Sequence, residues 1–107
     1  MNNFEALFAE YSCVLTDESV KAAVADILTK HVEENNNVEV WKQCLHSIDL
    51  TTLNGDDTTE KVETMAQRVN EFEDHFPGVP NVAAMCVYPA LVQTVADTLT
   101  EPIGIAA

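Results

Sequence analysis

Two residues at strand spacing, Asp49 and Thr51, are the side chains of this sequence best placed to do chemistry. They lie in the run His46-Ser47-Ile48-Asp49-Leu50-Thr51-Thr52, which alternates as a strand does. Ser47, Asp49 and Thr51 then share one side, and Ile48 and Leu50 the other. A carboxylate on a covered strand is costly unless it is paired or hydrogen-bonded. Asp49 is therefore either functional or part of a structural polar network. Leu53 and Asn54 follow at the C-terminal end of the strand, before the turn at Gly55. A second strand-like run, Val79 to Tyr88, puts Ala84, Cys86 and Tyr88 on one side and Met85 and Val87 on the other. A cysteine is a nucleophile only as its thiolate, and no base neighbours Cys86 in sequence, so its type alone reads as a small core residue. Tyr88 could present its hydroxyl to a site at the strand end.

Other chemistries lack the residues they need. His31 and His46 have no second His or Cys at ligand spacing, so no metal site is expected. Cys13, Cys44 and Cys86 are odd in number and far apart, which is not a disulfide framework and suits a reducing, cytoplasmic setting. Thr58 and Thr59 read as first-turn helix residues, and no glycine-rich phosphate loop accompanies them. Trp41 reads as a packing anchor. Eighteen acids against five bases set a formal net charge of -13. Such a charge repels phosphate backbones and anionic membrane surfaces, so neither nucleic acid nor membrane is an expected partner. The N-terminus lacks the features of a signal peptide, and no apolar run is long enough to span a membrane.

The elements that must position these residues can be read from hydrophobic spacing. Phe4, Leu7, Phe8, Tyr11 and Leu15 predict a helix over Asn3 to Leu15. Val20, Val24, Ile27 and Leu28 predict a second, capped by Thr16 or Asp17 and ending near His31, before a polar break at 33–37. Both read as amphipathic helices covering one end of a core, and residues 1–40 as an N-terminal helical extension. A short helical segment, Val38 to Leu45, follows. Residues 41–107 hold the first β/α units, and 46–107 read β-α-β-α-β. Asp57 and Glu60 have the spacing of a capping box, opening a helix that runs to about His75 and stops at Pro77-Gly78. Pro89 opens the next helix, and residues 103–107 form the third strand.

Successive β-α-β connections imply parallel neighbours. Ile48, Leu50, Met85, Val87, Ile103 and Ile105 make one bulky apolar face. The other face holds Ser47, Asp49, Thr51, Ala84, Cys86, Tyr88, Gly104 and Ala106. A doubly wound sheet would want bulky residues on both faces, whereas a β/α (TIM) barrel wants helices on one side and a restricted, partly polar interior. The expected fold is thus α/β, a partial β/α barrel. A whole barrel takes roughly 250 residues, so a truncated, N-terminal part of a larger enzyme is expected.

The run Ile48-Asp49-Leu50-Thr51-Thr52-Leu53-Asn54, with Asp56-Asp57-Thr58 and Glu60-Lys61-Val62, resembles the first strand and helix of deoxyribose-phosphate aldolase. Asn81-Val82-Ala83-Ala84-Met85-Cys86-Val87-Tyr88-Pro89 resembles the second strand of that family. The resemblance covers about residues 42–107. It implies a class I aldolase that reversibly cleaves 2-deoxy-D-ribose 5-phosphate to acetaldehyde and D-glyceraldehyde 3-phosphate through a lysine Schiff base, with no metal or other cofactor. It implies that Asp49 belongs to the active-site polar network, that Thr51 and Leu53 line the substrate pocket, and that Cys86 sits near the bound aldehyde. The Schiff-base lysine, the proton-shuttling aspartate, a second lysine and the phosphate site of the family lie on later strands. Lys21, Lys30, Lys42 and Lys61 fall on predicted helices, without the enclosed setting that depresses an amine pKa. The piece is therefore expected to be inactive by itself, with a sugar phosphate as ligand of the whole enzyme. Bare sheet edges would favour oligomers or self-association. The alternative is a complete small acidic domain that binds proteins without catalysis, and a barrel of another sugar-phosphate family is a third reading.

Overall fold

The computed structural model describes residues 3–11 and 14–107. The chain divides into two units, one up to Asn36 and one from Asn37 to Ala107.

The first unit holds α1 (Asn3–Glu10) and α2 (Asp17–Asn35). The first helix is shorter than its apolar spacing predicts. Ser12 and Cys13, which fall in that expected helix, lie outside the described residues, as do Met1 and Asn2. Of the two expected caps, Thr16 is the one used. Its hydroxyl accepts from the Ser19 amide, and the Ser19 hydroxyl accepts from the Thr16 amide. These contacts satisfy donors that the first helical turn leaves free. α2 also continues beyond His31 through Glu33 and Glu34, both good helix formers. The Asn35 side chain donates back to the His31 carbonyl at 2.8 Å, and the helix ends there. No described residue of either helix is buried.

The second unit begins with α3 (Val38–His46), capped by Asn37, whose side chain accepts from the Val40 amide at 3.1 Å. His46 closes this helix instead of opening the strand. Its Nδ1 donates to the Asn81 carbonyl at 2.9 Å. β1 (Asp49–Thr51) is followed by α4 (Thr59–Asn70) and a short α5 (Phe72–His75). The single expected helix is interrupted at Glu71, just after Asn70, which serves a distant segment. Its side chain donates to the Thr98 carbonyl and accepts from the Thr100 amide, at 2.9 and 2.8 Å. Gly78, at φ 75°, turns the chain beyond α5 in a region that disfavours side chains. β2 (Ala84–Cys86) leads through a 3-10 turn at Pro89–Leu91 into α6 (Val92–Thr98), and β3 (Gly104–Ala106) completes the order.

The three strands are parallel, in the order β1-β2-β3. Asp49 pairs with Ala84 and Ala84 with Gly104, so these three form one row across the sheet. Thr51, Cys86 and Ala106 form a second row on the same face, and Leu50, Met85 and Ile105 a row on the opposite face. The two-faced pattern read from the sequence is therefore present. The sheet is open, with β1 and β3 at its edges, and no barrel closes among the described residues.

α4 and α6 pack on the apolar face. Val62, Ala66, Val69, Val82, Met85, Val87 and Val95 form the core, with Leu50, Leu91, Val92, Leu99 and Ile103 against it. Full burial of a Val or Met side chain stabilises by about 1.5–3 kcal/mol. The core is thus one-sided, carried by Met85 and Val87 from the sheet and the α4 and α6 valines from above.

Candidate functional site

The face opposite the core presents a carboxylate, a hydroxyl and a thiol over a floor of small residues. Strand pleating and register put Asp49, Ala84 and Gly104 in one row and Thr51, Cys86 and Ala106 in the next. A Cβ added to Gly104 would lie 3.2 Å from the Ala84 Cβ, so this floor has room for glycine and little else at that point. Asp49 and Thr51 are exposed, and Cys86 is half-buried. The Thr51 hydroxyl donates to the Asp49 carbonyl at 3.0 Å. The Asp49 carboxylate itself has no hydrogen-bond or ion-pair partner among the described residues. No structural network absorbs the charge here, because nothing in this unit covers the face.

The C-terminal ends of β1 and β2 meet at the edge of this face. The Tyr88 hydroxyl donates to the Leu53 carbonyl at 2.8 Å, tying the exit of β2 to the loop after β1. The Leu53 side chain remains 48% exposed there. Thr52, on the other side of β1, is buried. Its hydroxyl lies 2.9 Å from each carboxylate oxygen of Asp57. The Asn54 amide donates to Asp57 at 3.0 Å, and the Lys61 ammonium lies 2.7 Å from it.

Sequence reasoning misassigned Asp57. Thr58, not Asp57, caps α4, accepting from the Lys61 amide at 3.2 Å. Asp57 instead turns its side chain inward, where it is 1% exposed. The signal available in the sequence was Lys61 one helical turn ahead of it, together with a second cap candidate at Thr58. The hydrogen bond from Lys61 holds the Asp57 carboxyl below its ordinary value of 3.8. Burial opposes this, and Thr52 and Asn54 add to it. The same contact raises Lys61 above its ordinary 10.5. That is the opposite of what an amine nucleophile needs, which removes Lys61 from consideration as a Schiff-base former. Lys30 is held in an ion pair with Asp26 at 2.8 Å, Lys21 and Lys30 stand on α2, and Lys42 stands on α3.

These shifts fix a pH dependence. Asp57 has a folded pKa below its unfolded one, so its contribution is complete above 3.8 and is lost as pH falls through the lower folded value. Lys61 contributes fully below 10.5 and loses its contribution as pH rises past it. In thermal melts from pH 6 down to pH 2, Asp57→Asn should narrow its deficit in melting temperature against the parent as acid removes the parent's advantage. A deficit that stays constant with pH would show that the Asp57 charge does not stabilise the fold.

No group of His, Cys, Asp and Glu among the described residues could hold a metal ion. The described cysteines, Cys44 and Cys86, are free thiols. No described helix is long and apolar enough to cross a membrane.

With this geometry in place, comparison with known proteins gives one direction. The chain is similar to a Caenorhabditis elegans protein named "Putative deoxyribose-phosphate aldolase". The identity is 35% over an alignment of 77 residues, and the match covers 69% of this chain and 24% of the relative. The chain therefore spans about a quarter of the length of this curated relative. The match covers more residues than 42–107, so it extends further toward the N-terminus than that resemblance. No protein-family profile matches the chain, and no solved structure does.

Proposed function

We propose that this chain supplies the first strand–helix units of a deoxyribose-phosphate aldolase, a class I aldolase with a β/α barrel. The observation that carries this reading is the open sheet face. Its small, polar residues stand on a parallel sheet whose connecting helices α4 and α6 pack on the other side, as the interior of a β/α barrel requires. The similarity to a putatively named aldolase of the same type supports it. In this reading Asp49 joins the active-site polar network, and Thr51 and Leu53 line the pocket for 2-deoxy-D-ribose 5-phosphate. Cys86 lies beside the bound aldehyde. The enzyme cleaves its substrate reversibly to acetaldehyde and D-glyceraldehyde 3-phosphate. The lysine that forms the Schiff base comes from β/α units beyond these residues. The 107 residues alone are then inactive, and the bare edges of β1 and β3 are where further strands add.

Two measurements test this. Borohydride reduction in the presence of acetaldehyde should leave Lys21, Lys30, Lys42 and Lys61 of the chain unmodified by mass spectrometry. Mixing the chain with a polypeptide carrying the part of the Caenorhabditis elegans relative that follows the matched region should produce retro-aldol activity that neither piece has alone. A stable adduct on one of the four lysines, or a mixture that folds together without activity, would count against the proposal.

One observation favours the alternative, a small acidic protein-binding domain. Leu45, Ile48, Leu50, Met65, Val69 and Phe72 border an apolar groove of about 450 Å³ beside β1. A barrel would cover the same groove with another helix, so the complementation experiment separates the two readings.

A further inference from the structure

The loop that leaves β1 is anchored at three consecutive residues by three different parts of the unit. The Thr52 amide donates to the Cys86 carbonyl at 3.0 Å, which extends the β1–β2 ladder past the strand end. The Thr52 hydroxyl donates into the buried Asp57 carboxylate at the start of α4. The Leu53 carbonyl accepts from the Tyr88 hydroxyl at the exit of β2. The Asn54 amide donates to Asp57, and the Asn54 carbonyl accepts from the Asp57 amide at 3.2 Å. The Asn54 side chain closes the set by donating to the Thr52 hydroxyl at 3.3 Å. Beyond it, nothing lies within 4 Å of where a Gly55 Cβ would stand. The chain is held through Asn54 and is open at Gly55.

An exposed loop does not need a buried carboxylate to stay folded. Loops usually satisfy their backbone groups with water. Here the carboxylate is placed inside, and Lys61 sits against it at 2.7 Å so that the charge is paired. Tyr88 holds the Leu53 carbonyl, Asp57 holds the Thr52 hydroxyl and the Asn54 amide, and neither takes the Leu53 side chain, which stays free at the edge of the polar face. Fixed backbone with a free side chain is the arrangement that holds a binding wall in register, since a pocket loses affinity when its wall must be ordered on binding.

We propose that Tyr88 and Asp57 are positioning residues: together they hold Thr52–Asn54 as a rigid wall that presents Leu53 at the mouth of the Asp49 face. The anchoring itself rests on the hydrogen bonds alone, and its consequence for a sugar phosphate rests on the aldolase reading above. The two residues act on different atoms of the wall. Tyr88 holds the Leu53 carbonyl, and Asp57 holds its neighbours on either side.

The test has an arm for each half. In the 107-residue chain, amide hydrogen exchange at Asn54 should be about fivefold faster in Tyr88→Phe than in the parent, as expected for losing one hydrogen bond of the wall. The Leu99 amide, bonded to the Val95 carbonyl in α6, should be unchanged and reports that the core is intact. The Asn54 amide proton shift should also follow a titration below the ordinary carboxylate range, and Asp57→Asn should abolish it. In the complementation mixture, Tyr88→Phe should raise the KM for 2-deoxy-D-ribose 5-phosphate by about fivefold and leave kcat within about twofold, because a looser wall costs binding more than chemistry. Unchanged exchange at Asn54 in Tyr88→Phe, or an Asn54 shift that still titrates in Asp57→Asn, overturns the anchoring. Faster exchange with kcat falling and KM constant overturns the binding-wall role. A parent mixture without turnover sinks the aldolase reading, and the exchange and titration arm then decides the anchoring by itself.

Discussion

Met85→Ala is expected to cost about 2–5 kcal/mol of stability, the largest effect of any single change in the second unit. Met85 is fully buried at the centre of β2, with Leu50 and Ile105 on either side in register. Its side chain carries the sheet's share of a core whose other fully buried members are Val62, Val87 and Val95. Truncation removes apolar contacts and leaves a cavity that backbone on both flanks cannot collapse into. A small domain has about 5–15 kcal/mol of net stability in all, so this loss can take most of it. Ile105→Ala makes the comparison informative. It occupies the same row, but the side chain is 39% exposed at the edge strand. Its cost should be well under half that of Met85→Ala. Met85→Leu, which nearly conserves volume, should cost less than about 1.5 kcal/mol. Urea titrations of the three variants measure the order. Equal costs for Met85→Ala and Ile105→Ala would mean that the one-sided core is not what stabilises the sheet.

Asp49→Asn is expected to behave oppositely in two settings. In the chain alone it should change stability by no more than about 0.5 kcal/mol, as an exposed substitution that breaks no contact. The carboxylate has no partner among the described residues, and amide and carboxylate are nearly isosteric. In the complementation mixture the same change should lower retro-aldol turnover by about 100-fold or more, the range seen when a charged group that handles protons or orients a reacting centre is neutralised. The contrast is the point of the experiment. A residue kept for structure loses stability in the chain, and a residue kept for chemistry loses turnover in the mixture. Wild-type turnover from the Asp49→Asn mixture would remove Asp49 from the site. A large loss of stability in the chain alone would return it to the structural network that was the other expectation for it.

Much of the second unit was legible in the sequence because its signals are local. Alternation around Leu50 and Met85 specifies strands, since pleating sends neighbours to opposite faces. The parallel register then preserves the alternation across the sheet. Pro89 and Pro77-Gly78 punctuate the chain by their own backbone restrictions. What was misread depends on partners distant in sequence. The long helix is interrupted just after Asn70, which bridges to Thr98 and Thr100. His46 belongs to α3 because Asn81 receives its ring. The strands are shorter than their alternating runs because pairing covers three residues of each.

The sequence by itself determined which residues share the Asp49 face, since that follows from a period of two. It also determined the acidic surface and the order of strands and helices. The residues that hold the β1 loop were decided by tertiary structure alone. A helix cap and an inward-facing carboxylate use the same residue types at adjacent positions, and local spacing does not distinguish Asp57 from Thr58. Only the folded loop after β1 does so, by bringing Thr52 and Lys61 to one carboxylate and turning it away from the helix end it was expected to cap.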